Sequence, residues 1–226
     1  MRAAIAKTMD SPIAVNSELS ALHRMVAGYY SDKIARHGPT PLGVDWSCVP
    51  TQEMRFVQLL KVCDFVQPFS LNDIGCGYGA LLHYLKKRHR RASIDYLGVD
   101  LSAAMITQAK RLFGKQPLTA FEAACHGTRL ADYSVASGIF NVKLDQPLLA
   151  WEQFIAEALT QMNRTSLRGF AVNFLAPTSA HTRTVPELYY AAPNQWRTHC
   201  EQTFGARVEV LADYGMREYT LLVRPT

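Results

Sequence analysis

The sequence predicts an α/β fold: a doubly wound, mostly parallel sheet of seven strands, with an antiparallel final strand and an N-terminal helical cap. Three observations carry this. From Pro68 onward short apolar runs alternate with helical segments, the pattern of a parallel sheet covered on both faces. The last two strand candidates are joined only by a turn around Asp213-Tyr214-Gly215, too short for a parallel crossover, so the final strand must run antiparallel. A glycine-rich segment, Asn72-Asp73-Ile74-Gly75-Cys76-Gly77-Tyr78-Gly79-Ala80, ends the first strand and opens the first helix of the sheet.

A chain of 226 residues is one domain, or one domain with an appendage. Residues 17–37 read as a helix, with Leu19, Leu22, Met25, Val26, Tyr29 and Ile34 on one face. Gly38 and Pro39 stop it, and Pro39-Thr40-Pro41-Leu42-Gly43 is a rigid loop. Thr51 is the expected N-cap of a second helix carrying Phe56, Val57, Leu59, Leu60 and Cys63. Residues 1–68 thus read as the cap and 69–226 as the ligand-binding sheet domain. Strands are expected at 70–74, 94–99, 118–123, 133–139, 169–175, 206–211 and 217–223, with helices at 79–89, 102–113, 148–163 and 193–203.

Composition excludes several classes. With 48% hydrophobic and 19% charged residues the chain is neither disordered, collagenous nor a coiled coil. No run approaches the roughly 20 apolar residues of a membrane span. Lys7, Asp10, Pro12 and Asn16 interrupt any signal-peptide core, so a cytoplasmic location is expected. Five cysteines without a C-x-x-C pair read as reduced thiols, with no metal site. The net charge of +5 has one dense cluster, Lys86-Lys87-Arg88-His89-Arg90-Arg91. It falls at the C-terminal end of the first sheet helix, where cations complement the helix dipole. That end is opposite the ligand edge, which argues against a nucleic-acid partner.

Gly75-x-Gly77-x-x-Ala80 also fits a dinucleotide fingerprint. Asp73 decides against it, because its carboxylate would sit beside a pyrophosphate. The sulfonium and ammonium of S-adenosylmethionine (SAM) are compatible with an acid there. Asp100 follows Gly75 by 25 residues, near the offset at which a carboxylate holds ribose hydroxyls. In these segments the chain resembles the class I SAM-dependent methyltransferases: LNDIGCGYG looks like their first motif and LGVDLSAAMI like their second. The resemblance covers residues 69–224 and implies a Rossmann-like fold with SAM as cosubstrate or substrate. It implies that Gly75, Gly77 and Gly79, with Asp73 and Cys76 in the same loop, line the methionine and ribose portion. Asp100 would hold the ribose, and Leu101 and Met105 would pack on adenine. One departure is FEAACHG: where such proteins often carry an acid for the adenine amino group, this chain has Cys125 followed by His126, and a thiol is a weak acceptor.

Candidate chemistry lies at the ends of the strands. Phe140 and Asn141 follow the fourth strand, where an Asn/Asp-Pro-Pro-aromatic motif is absent; this argues against the methyltransferases of nucleic-acid and protein amino groups that carry it. Asn173 lies on the fifth strand. The segment 176–192, with His181, Tyr189 and Tyr190, reads as a flap over the site. In the cap, Tyr30 and Arg55 are candidates for the ligand's carboxylate. Candidate bases are His37, His181 and Asp45. The positioning set is Tyr30, Phe140, Asn141, Asn173 and Tyr190. The block HGPTPLGVDW followed by RFVQLLKV resembles the leading segment of small stand-alone bacterial SAM enzymes.

These features favour methyl transfer to a small molecule. The alternative is intramolecular cyclisation of SAM to azetidine-2-carboxylate with release of methylthioadenosine, because the small capped architecture also looks like that of the azetidine-2-carboxylate synthases. RNA methylation ranks third, beside a non-catalytic SAM- or RNA-binding module. The sequence leaves the oligomeric state open.

Overall fold

The computed structural model describes residues 12–177 and 184–226. The elements in chain order are α1 (Pro12–His37), α2 (Val49–Leu59), β1 (Phe69–Ile74), α3 (Ala80–Arg88), β2 (Ile94–Asp100), α4 (Ala103–Phe113), β3 (Thr119–Ala123), β4 (Ala131–Ala136), α5 (Leu148–Arg164), β5 (Ser166–Leu175), α6 (Pro193–Phe204), β6 (Arg207–Leu211) and β7 (Glu218–Arg224). The seven strands form one sheet in the order β3-β2-β1-β4-β5-β7-β6. The first five are parallel; β7 inserts between β5 and β6 and runs antiparallel to both. Among the described residues no helix is long and apolar enough to cross a membrane.

The alternation of strand side chains creates two cores. Leu97, Val99, Val172, Phe174 and Leu221 pack in one with Trp151, Ile155 and Leu159 of α5 and Trp196 and Cys200 of α6. Leu71, Tyr96, Val135 and Leu222 pack in the other with Phe56 and Leu59 of α2, Leu81 and Leu85 of α3 and Ile106 of α4. The crossover from β3 to β4, residues 124–130, contains no helix. On the α5 face α1 contributes in its stead, with Leu22 and Val26 joining that core.

Two boundaries and one connecting segment differ from the sequence expectation for local reasons, while α1 begins at Pro12 rather than 17 and β5 at Ser166 rather than 169. Helix α2 begins at Val49, not Thr51, because Pro50 occupies its first turn, where the missing N–H is no loss. Thr51 therefore does not cap; its hydroxyl donates to the Cys48 carbonyl at 3.0 Å. Strand β4 ends at Ala136, not 139, because Gly138 turns into the left-handed region (φ 72°). The nearer half of the expected flap is a strap: Tyr189 N–H donates to the Asn141 carbonyl and Ala191 N–H to the Leu175 carbonyl, and Tyr189 is 2% exposed. His181 lies outside the described residues.

One buried polar chain joins the cap to the sheet. Arg55 of α2 makes a two-pronged ion pair with Glu218 of β7; both are almost fully buried. Glu218 Oε2 also accepts from Asn173 Nδ2 of β5 at 2.9 Å, and Asn173 Oδ1 accepts from the Gly138 N–H at 2.7 Å. The Arg55 guanidinium stacks on the Trp46 ring, 3.7 Å from its centroid. A buried ion pair contributes little net stability while intact, but removing one partner strands the other charge. Glu218→Ala should therefore lower the unfolding free energy by about 3–5 kcal/mol, seen in urea as a lower midpoint at an unchanged m value.

Candidate functional site

At the C-terminal ends of β1, β2 and β4 lies a cavity of about 950 Å³ including its open mouth, within the range of small-molecule sites. Its floor is the loop after β1, from Asp73 to Tyr78, with Asp100, Leu101 and Met105 beside it and Cys125 following β3. The cap forms the roof through Val26 and Tyr30 of α1, Val44 and Trp46 of the connecting loop, and Gln52 and Phe56 of α2. A hydrogen bond of 2.8 Å between the hydroxyls of Ser31 and Ser102 fastens α1 to the start of α4.

Gly75, Gly77 and Gly79 all have positive φ. At Gly77 the requirement is double: φ is 56°, and a Cβ would lie 3.0 Å from Val44 Cγ1 of the roof. This flat turn aims the Gly77 N–H at Asp100 Oδ2 (2.9 Å), while Asp100 Oδ1 accepts from the Ser102 N–H (2.8 Å). Ser102 also caps α4, accepting from the Met105 N–H at 3.2 Å. Asp100 is thus fixed in orientation by backbone groups on both oxygens, with lone pairs to spare.

Asp73 is 2% exposed, and among the described residues its polar side-chain partner is the Tyr96 hydroxyl at 2.6 Å. Burial raises the Asp73 carboxyl to about 7; the Tyr96 bond opposes the rise and nearby Asp100 adds to it. Burial likewise raises Asp100 to about 6, against the two N–H bonds from Ser102 and Gly77. The Tyr30 hydroxyl is pushed upward by burial and then by the charges of Asp45 and Asp100. Among the described residues lining the cavity there is no Lys, Arg or His; the charged groups are Asp73 and Asp100.

Of the residues singled out in the sequence, Asp73, Gly75, Cys76, Gly77, Asp100, Leu101, Met105, Cys125 and Tyr30 come together around this cavity. Gly79 stands just outside it as the N-cap of α3, facing Phe113 and Phe121. Phe140 is fully buried, stacked on Phe174 and edge-on to Phe154, and its carbonyl accepts from Trp151 Nε1. Asn141 is 4% exposed in the corner after β4, with Oδ1 unpaired. Asn173 serves the buried polar chain. Tyr190 pairs with the end of β5 and accepts from the Val185 N–H. None of these four lines the cavity. Arg55 does not either: Glu218 holds its guanidinium. Asp45 pairs with Lys33 at 2.5 Å, and His37 is not part of the lining.

Gln52, Tyr78, Ser137 and Ile139 also line the wall, and Glu218 lies behind it on Arg55, none of them among the sequence candidates. Glu218 had a signal: an acid opening an apolar strand, matched by Arg55 inside an apolar helix face. Gln52 and Ser137 had none, since both are ordinary surface residue types.

The family described as "Methyltransferase domain" matches residues 72–160. Rv1506c of Mycobacterium tuberculosis, which carries a provisional methyltransferase name, is 41% identical over 165 residues, covering 73% of this chain and 98% of that protein. Magnesium protoporphyrin IX methyltransferase from Synechocystis PCC 6803 with bound S-adenosylhomocysteine superposes with a TM-score of 0.60 at 11% identity, over 92% of this chain and all of that one. Phosphoethanolamine N-methyltransferase 1 of Haemonchus contortus gives 0.61 at 9% identity, over 92% of this chain and 50% of that one. At such identities these two structures speak for the fold.

The Asp73 shift makes a stability prediction. The folded state holds the Asp73 proton more tightly (about 7) than the unfolded chain (3.8), so ionising it costs stability. That cost is full above pH 7, shrinks as pH falls, and vanishes below about 3.8. Asp73→Asn keeps an acceptor for Tyr96 and removes the acid. Its melting temperature should exceed the wild type's by roughly 5–10 °C at pH 8, with a smaller gap at pH 5, by differential scanning calorimetry without ligand.

Proposed function

The chain belongs to the class I SAM-dependent methyltransferases, and on that premise we propose that its cavity binds SAM and serves methyl transfer to a small molecule held beneath the cap. The observation that carries this is the charge of the lining: one buried carboxylate, Asp73, one half-buried carboxylate, Asp100, and no cation among the described residues. Such a site favours a positively charged ligand and disfavours a phosphodiester. The donor set fits SAM. Asp100, with both oxygens oriented by the N–H groups of Gly77 and Ser102, is preset to accept ribose hydroxyls. Leu101 and Met105 offer an apolar flank for the adenine, with Cys125 at its edge in place of an acid. Asp73 supplies the countercharge for the cationic end, and the ligand's charge in turn holds Asp73 ionised. Bound SAM supplies a methyl group on a positively charged sulfur that leaves as a neutral thioether.

The protein's own contribution is then alignment and exclusion of water by the aromatic roof. The basic run at Lys86–Arg91 does not favour RNA. Lys87 and Arg88 pair with Glu53, and the nine residues of α3 set the run roughly 13 Å from the glycine loop.

Among the described residues the lining offers no histidine to take a proton from an acceptor, which also suits a second reading, cyclisation of SAM itself. Its α-amine would attack its own γ-carbon, closing azetidine-2-carboxylate, expelling methylthioadenosine and releasing one proton. One mass-spectrometric assay separates the two. Incubation with SAM and a panel of small-molecule acceptors should yield S-adenosylhomocysteine only when an acceptor is present. Methylthioadenosine accumulating enzymatically from SAM alone, with an equal amount of azetidine-2-carboxylate, would replace methyl transfer by cyclisation. For the cosubstrate site, Asp100→Ala should weaken SAM binding by about 10- to 100-fold in calorimetry, the loss of charge-assisted hydrogen bonds. Unchanged affinity would remove Asp100 from the site.

A further inference from the structure

We propose that Trp46 is the wall that limits the reacting end of the cavity, and that the buried Arg55–Glu218 pair is the positioning element that holds it there. This rests on the reading that the cavity holds SAM.

The sheet order lays the lining out in a row. Moving along β3, β2, β1 and β4, the strand ends present Cys125, Asp100, Asp73 and then Ser137 with Gly138. Neighbouring strands are about 4.8 Å apart, so the columns of Asp100 and Gly138 are roughly 10 Å apart. With the ribose at Asp100 and the adenine toward β3, the reacting end is directed to the β1–β4 side. Trp46 stands at that side. A Cβ on Gly138 would lie 2.2 Å from the Trp46 ring, so the indole rests against the bare glycine backbone. The ring's other support is the Arg55 guanidinium, 3.7 Å from its centroid.

That guanidinium is not free to move. Glu218 grips it with both oxygens, the Thr51 carbonyl accepts from its Nη1 at 2.8 Å, and Asn173 ties Glu218 back to the Gly138 N–H. The ring and the glycine beneath it are therefore registered by one hydrogen-bonded circuit across α2, β7 and β5. The Ser137 hydroxyl beside Gly138 is buried and unpaired, a group that an acceptor could satisfy. The wall chemistry thus fits an acceptor that is small, flat or apolar on one side, and carries one hydrogen-bonding group.

The test uses two probes, SAM and its S-allyl analogue, whose larger group enters the reacting end. Affinities are measured by calorimetry for the wild type, Trp46→Ala and the double variant Arg55→Met/Glu218→Gln, which leaves no stranded charge. The wild type should bind the S-allyl analogue at least tenfold more weakly than SAM, and both variants should narrow that gap to below threefold. Equal binding of the two probes by the wild type, or an unchanged gap in Trp46→Ala, would overturn the wall. An unchanged gap in the folded double variant would overturn the positioning role. If the double variant does not fold, Arg55→Lys decides the positioning role, since it keeps a cation opposite Glu218 but loses the planar fork that stacks on the ring: a narrowed gap supports it and an unchanged gap overturns it. A wild type that binds neither SAM nor S-adenosylhomocysteine would instead overturn the underlying cosubstrate reading.

Discussion

A buried carboxylate beside a half-buried one sets the terms for the rest of this molecule. Asp73 and Asp100 sit side by side at the ends of β1 and β2, each raised by burial, with the Tyr96 hydroxyl and two backbone N–H groups as compensation. A carboxylate in such a place is costly unless charge of the opposite sign arrives. No lysine, arginine or histidine among the described lining residues supplies it. In its absence the Asp73 carboxyl is relieved by holding its proton, which is what its rise to about 7 expresses. The left-handed glycines follow from this, because only a backbone without Cβ atoms brings the loop close enough to turn an N–H onto Asp100 and leave room beneath Val44.

The cap solves a second problem, how to close the cavity without adding a domain. The short crossover after β3 leaves a stretch of the α5 face without its own helix, and α1 lies there with Leu22 and Val26 in the common core. The same helix presents Tyr30 to the cavity and fastens to α4 through Ser31 and Ser102. Helix α2 is anchored differently, by Phe56 and Leu59 in the opposite core and by the Arg55–Glu218 pair. Roof and floor are thus fixed by the same packing that stabilises the sheet.

Much of this is legible in the chain. The alternation of elements and the short turn at Asp213–Gly215 specify the sheet and its antiparallel strand. The glycine loop with Asp73 and Asp100 locates the cavity, because these features are local in sequence and each residue type has a narrow physical reason to be there. What the sequence hides is non-local. Position after β4 points Phe140 toward chemistry but does not reveal which face it takes once the chain turns at Gly138, and nothing local shows that Asn173 is taken by Glu218 and Gly138 or that Tyr190 pairs along the end of β5. Arg55 resembles a ligand contact because its partner, Glu218, lies 163 residues away. Trp46 packs on Gly138 and Arg55 while lining the cavity, and both partners are too far away in the chain for a local pattern to show it.

If SAM binds as proposed, its positive charge meets the buried Asp73 carboxyl. Proton release on SAM binding tests it most directly, by calorimetry at pH 6.5 in two buffers of different ionisation enthalpy. With the carboxyl near 7, a substantial fraction of the free protein holds this proton, and binding should expel it. The wild type should release on the order of half a proton more than Asp73→Asn. Identical proton release by the two proteins, both binding SAM, would contradict the account.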